Sequence, residues 1–288
     1  MTPCLSLVTI CETPIPAAIE AAAQAGFTHV DFWWPALRQY LQQAEPQPIL
    51  DTLAEKQVAV ASISGLGLEL AGSGQLWQES LANFMDFLQA TAPFAIPIVN
   101  FTPGITHELP HAGLYEIAIG RLLELKSLIS STNIILAMEF RSDSRWLTSH
   151  ETSVALMDQL ADPQIGLCLD LFHFMTGPSK TEGLTRLAIR HIRSAHVSDL
   201  IATPRELARD TDRILPGEGD FDIRGLLTLL YEQGFSGPAS VDVPNPLLWQ
   251  IPADRVSDMA FQALWRSLPV SYLEKQLQSS GTGFQESP

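Results

Sequence analysis

GLCLDLFHF, residues 166–174, is an apolar run broken by one carboxylate, Asp170, and one imidazole, His173. The residues around the aspartate read as a β-strand covered on both faces, the pattern of a parallel sheet packed between helices. An unpaired carboxylate in such a strand either costs several kcal/mol or gives up its charge. Something must therefore pair with Asp170.

Working outward, runs of the same kind recur at CLSLVTI (4–10), THVDFWW (28–34), QVAVASIS (57–64), IPIVNF (96–101), NIILAMEF (133–140), IRSAHVS (192–198) and PASVDV (238–243). With IGLCLDL (165–171) they make eight strand candidates. Helical patterns lie between them. PIPAAIEAAAQAG (14–26) opens with Pro and closes on Gly26, as helix punctuation should. LYEIAIGRLLELKSLI (114–129) repeats apolar residues at helical spacing. In TSHETSVALMDQL (148–160), Thr148 and Glu151 have capping-box spacing. GQLWQESLANFMDFLQATA (74–92) has the pattern of a partner-binding helix, but its place between strands assigns it to the outer layer. Trp33 and Trp34 read as mouth-walling or packing residues, with sugar stacking the sharper alternative. Strict βα alternation repeated eight times predicts an α/β fold, a (β/α)8 TIM barrel, rather than an open doubly wound sheet. One barrel domain is expected over 1–270, followed by a polar tail, 271–288.

Composition narrows the partners. With 17 basic and 32 acidic residues the formal charge is −15, and no basic patch offsets it, so nucleic acid and anionic membranes are poor partners. Cys4, Cys11 and Cys168 have neither metal nor redox spacing and fit a reducing compartment. No basic start precedes MTPCLSLVTI and no apolar run reaches about 18 residues, so a cytoplasmic protein is expected.

In a barrel, chemistry gathers where strands end. Strands five to eight carry Glu139, Asp170, His196 and Asp242 near those ends. Two places earlier on the same faces stand Ala137, Cys168, Ser194 and Ser240, all small, leaving room beneath a coordination site. Three carboxylates and one imidazole favour a hard divalent ion, Mn²⁺ first, with Mg²⁺, Co²⁺ and Zn²⁺ as alternatives. His173 is expected to touch substrate. PGEGD (216–220) lacks the spacing and lysine of a phosphate loop and reads as a turn, with Asp220 or Asp222 capping the next helix.

The series MEF (138–140), LDLFH (169–173), AHVSD (195–199), LPGEGDFD (215–222) and SVDV (240–243) resembles the xylose isomerase-like barrels, over about residues 4–266. That resemblance implies one divalent metal held by Glu139, Asp170, His196 and Asp242, and substrate contact by His173 and Arg213. It implies isomerisation or epimerisation of a ketose or related hydroxy-carbonyl compound through an enediolate. Glu139 would be the leading base, Asp242 the second acid/base, and Arg213 the cation beside the oxyanion. The family's last ligand is usually Glu, and here it is the shorter Asp242. Two alternatives stay open: a metal-dependent dehydratase of a hydroxylated ring acid or inositol ketone, and a sugar-binding barrel without catalysis. A repair endonuclease on the same barrel is disfavoured by the charge. A small sugar-like substrate and a homo-oligomeric assembly complete the expectation.

Overall fold

The computed structural model describes residues 1–104 and 113–279. Eight strands close into one parallel barrel in sequence order: β1 (Thr2–Ser6), β2 (His29–Trp33), β3 (Ala59–Gly67), β4 (Ile98–Thr102), β5 (Ile135–Glu139), β6 (Ile165–Asp170), β7 (Ile192–Val197) and β8 (Pro238–Val241). Closure is made by β1 on β8, with Cys4 opposite Ser240. Every strand falls within or overlaps an expected run.

The first strand is shorter at its end than the run 4–10 predicts. It stops at Ser6, and Leu7–Ile10 winds into a 3₁₀ turn. An apolar run does not by itself separate strand from buried helix. Here the decision is tertiary: Thr9 Oγ1 donates to Val241 O and accepts from Val243 N, both at 3.1 Å, tying the turn to the end of β8.

Helices between the strands follow their local signals. Gly26 closes helix Ile15–Ala25 at φ +104, and Phe261 lies 3.1 Å from where a β-carbon would stand. Asp222 caps helix Ile223–Glu232 by accepting from Gly225 N, as expected for one of the two candidate aspartates. The capping box at Thr148 and Glu151 does not form. Ser149 caps helix His150–Leu160 instead, and the Glu151 carboxylate accepts from Lys180 N across the loop. Helix Val270–Ser279 begins where the polar tail was expected, and its Tyr272 is buried edge-on against Tyr231. The rest of that tail, 280–288, lies outside the described residues.

The core has two unequal parts. A large apolar shell, including Phe32, Phe84, Phe87, Phe101 and Phe140, fills the space between strands and helices. Trp34 belongs to that shell, packed edge-on to Phe87. A second, small cluster joins Ile98, Ala137 and Cys168, with Ile135 beside it. Above it the interior is polar: Ser64, Asn100, Ser194 and His196 are all buried there and hydrogen-bonded together. Among the described residues no helix is long and apolar enough to cross a membrane.

Candidate metal and proton-transfer site

Parallel strands bring their C-terminal ends to one mouth, and the four expected ligands meet there. Glu139 Oε1 lies 2.9 Å from His196 Nδ1, and Asp170 Oδ2 lies 3.9 Å from the same nitrogen. Asp242, just past β8, is anchored by its N–H on Val197 O. Arg213 Nη1 reaches both Asp170 Oδ2, at 2.6 Å, and Asp242 Oδ2, at 3.2 Å.

This geometry answers the question set by Asp170. One oxygen caps the helix Leu171–Thr176, accepting from Phe172 N at 2.7 Å and His173 N at 3.2 Å. The other holds the Arg213 guanidinium. Burial works against its charge, but Arg213 outweighs burial and keeps the carboxyl well below its ordinary range. Glu139 and Asp242 have no such private cation, and burial pushes both upward. For His196, burial opposes the charge, yet the Asp242, Glu139 and Asp31 carboxylates around it raise the imidazole well above its ordinary value.

His173 lies in the first turn of that helix. Its Nδ1 is 3.1 Å from Ser142 Oγ, and its Nε2 is 3.2 Å from Arg213 Nη2. Burial, helped by the neighbouring arginines, lowers it to about 4 against the pull of Asp170 and Asp210, so the ring is neutral and Nε2 accepts from Arg213.

Arg213 is carried over the mouth by the loop after β7. Asp199 and Ile214 exchange two backbone hydrogen bonds of 3.0 Å, and Asn245 Nδ2 donates to Arg213 O. Asp199 also receives the backbone N–H groups of Gly217, Gly219 and Phe221 at 3.0–3.1 Å. PGEGD is thus a turn built around a buried carboxylate, and the amides an anion would need are already taken. Asp199→Ala is expected to cost about 2–4 kcal/mol, since it strands these buried donors. Urea unfolding measures the loss, and a change below about 0.5 kcal/mol would contradict this role.

The sequence reading missed several members. Asp31, in β2, is wholly buried, its Oδ2 is 3.2 Å from His196 Nε2, and its Oδ1 has no hydrogen-bond partner. Asp210 bridges two arginines, accepting from Arg213 Nη2 and Arg141 Nη2, each at 2.6 Å. Asp31 had a visible signal, a carboxylate inside an apolar run like that of Asp170. Asp210 and Arg141 had none, because only the folded loops bring them together.

Among the described residues two trios of donor atoms lie within 4.8 Å of one another, Glu139–Cys168–His196 and Asp31–His196–Asp242. Asp170 joins neither. The donor set nonetheless fits a divalent cation. Asp31, Glu139, Asp170 and Asp242 are 0–8% exposed and face one guanidinium and one imidazole. Buried carboxylates in excess of their cations are strongly unfavourable, and an oxygen-rich set with one nitrogen suits a hard or borderline ion. Cys168 puts a sulfur within reach, which moves the balance toward Zn²⁺. Its thiol is pushed up to about 12, chiefly by burial.

The model of the xylose isomerase-like TIM barrel family matches residues 19–263. The chain belongs to that family. Inosose isomerase of Halalkalibacterium halodurans is 26% identical over 180 residues, 62% of this chain and 64% of that protein. Inosose isomerase of Bacillus subtilis is 24% identical over 63% of this chain and 66% of its own length. The chain therefore matches just under two thirds of these relatives. Among solved structures, the IOLI protein with a bound zinc atom superposes with a TM-score of 0.87 at 20% identity, covering 93% of this chain and 98% of that one. That likeness establishes the barrel.

Proposed function

We propose that this barrel is a divalent-metal-dependent isomerase or epimerase of a small polyhydroxylated ketone. The observation that carries the reading is the meeting of Glu139, Asp170, His196 and Asp242 at the strand ends around Arg213. The names of the inosose isomerases point to a ketone with hydroxyl-bearing neighbours, and the IOLI protein, similar in fold, binds a zinc atom.

Glu139, Asp170, His196 and Asp242 would hold the ion, with Asp31 beside them. When bound, a divalent cation polarises a substrate carbonyl and makes the neighbouring C–H acidic. The remaining chemistry belongs to the side chains. Glu139, raised by burial, takes the proton from the hydroxyl-bearing carbon. Arg213 supplies fixed positive charge where the oxyanion develops. A hydroxyl proton passes between the two oxygens, and return of the carbon proton to the former carbonyl carbon completes isomerisation. Return to the same carbon on its other face, from Asp242, gives epimerisation. His173, neutral and braced by Ser142 and Arg213, presents no charge to an uncharged substrate.

The test is product analysis after incubation with ketoses, inosose ketones and a dehydroshikimate-like acid, each with Mn²⁺, Zn²⁺, Co²⁺ or Mg²⁺. A shifted carbonyl or an inverted centre supports the proposal. Loss of water from the ring acid alone assigns a lyase instead, and binding without conversion of any ketone assigns a non-catalytic barrel.

A further inference from the structure

The His196 imidazole is held from both sides. Its Nδ1 faces Glu139 and Asp170, while its Nε2 points the other way, to Asp31 Oδ2 at 3.2 Å. Ser64 Oγ donates to that same oxygen at 2.7 Å. Ser64 in turn accepts from Asn100 Nδ2 at 3.0 Å, and Asn100 Oδ1 accepts from Ser194 Oγ at 2.6 Å. The chain Ser194, Asn100, Ser64 and Asp31 crosses four different strands, and each member is at most 5% exposed.

The direction of these bonds decides the ring's proton. Ser194 fixes the Asn100 amide with its oxygen toward β7, which turns its NH₂ toward Ser64. The hydroxyl hydrogen of Ser64 is committed to Asp31. Ser64 Oγ and Asn100 Nδ2 also lie 3.2 and 3.3 Å from Nε2, but both are neutral groups. Asp31 brings a carboxylate there at 3.2 Å, and a hydrogen bond to a carboxylate is about twice as strong as one to a neutral group.

Resting on the metal reading above, we infer that Asp31 is a positioning residue that holds His196 as its Nε2–H form and presents Nδ1 to the cation. A metal-bound imidazole commonly donates its other N–H to a carboxylate, and losing such a partner weakens metal affinity roughly 10–100-fold. Asp31 acts through His196, and the imidazole and the Ser64 hydroxyl give this fully buried β2 carboxylate its partners.

The test uses full-length protein labelled with ¹⁵N-histidine, metal-free and loaded with Zn²⁺, together with Asp31→Asn and Ser64→Ala. Wild type should show a protonated Nε2 on His196 in both states and an unprotonated Nδ1 in the Zn²⁺ state. Asp31→Asn should bind Zn²⁺ roughly 10–100-fold more weakly and lose the downfield, slowly exchanging Nε2–H signal. Ser64→Ala, which removes one anchor of Asp31 and leaves the charge in place, should show a smaller loss in the same direction. Zn²⁺ affinity within twofold of wild type in both variants overturns the inference, as does an Nδ1-protonated ring in the Zn²⁺ state. A loss in Asp31→Asn equal to that in Asp170→Asn also overturns it, because Asp31 would then be a ligand. If wild type takes up no Zn²⁺, the metal reading itself fails, and the Nε2–H signal of the metal-free protein still decides the Asp31 contact.

Discussion

Glu139→Gln should lower turnover by roughly 10²–10⁴-fold at saturating Mn²⁺, the usual contribution of a positioned base. The amide keeps the shape and one oxygen near His196 Nδ1, which Glu139 Oε1 now meets at 2.9 Å. It cannot accept a carbon-bound proton. Asp242→Asn should do the reverse for isomerisation, weakening Mn²⁺ binding markedly while leaving much of that turnover recoverable at high Mn²⁺, whereas epimerisation, which draws its proton from Asp242, should stay depressed. The shorter aspartate places its carboxylate a methylene further from the mouth, and a displacement near 1 Å can cost about a hundredfold in rate. Steady-state kinetics of both variants against Mn²⁺ concentration separates the roles. If Asp242→Asn retains full affinity and full activity, β8 contributes no ligand, and His173 becomes the next candidate.

Removing Asp170 should have two effects that are measured separately. Asp170→Asn should abolish Mn²⁺ binding in a calorimetric titration. It should also destabilise the fold by about 3–5 kcal/mol, because Arg213 loses a buried partner. Asparagine is as good a helix cap as aspartate, so helix Leu171–Thr176 should survive and the barrel should remain folded. His196→Ala should abolish Mn²⁺ binding as well, but leaves the Arg213 contacts in place. Unchanged affinity in either variant would remove that residue from the site.

The fold was legible because each strand announces itself locally. NIILAMEF and IRSAHVS are runs whose composition and spacing need no long-range information, and β5 and β7 lie within them. Ends were less legible, since they answer to tertiary contacts. β1 stops at Ser6 because Thr9 is tied to β8, and helix His150–Leu160 is capped by Ser149 because Glu151 is drawn to Lys180.

The site followed the same division. Glu139, Asp170, His196 and Asp242 could be read from a two-residue period, and the folded strand ends bring them together. Arg213 was legible only through resemblance, because its position depends on the bridge between Asp199 and Ile214. Asp31 carried the same local mark as Asp170 but does not cap the helix Trp34–Leu41 that follows β2, and Trp33 and Trp34 at that junction drew the reading toward packing. Asp210 meets Arg141 across 69 positions, a pairing that no window of sequence displays.

If Glu139 moves a carbon-bound proton at a metal site, solvent deuterium enters the substrate carbon. Mn²⁺-loaded protein is incubated in deuterated water with the ketone that it converts, or with an inosose, and the recovered sugar is read by NMR and mass spectrometry. Deuterium should appear on the carbon next to the carbonyl, and its rate of entry should fall by roughly 10²–10⁴-fold in Glu139→Gln. Conversion over many turnovers with no deuterium at that carbon would rule out proton transfer by Glu139 and assign a hydride shift in its place.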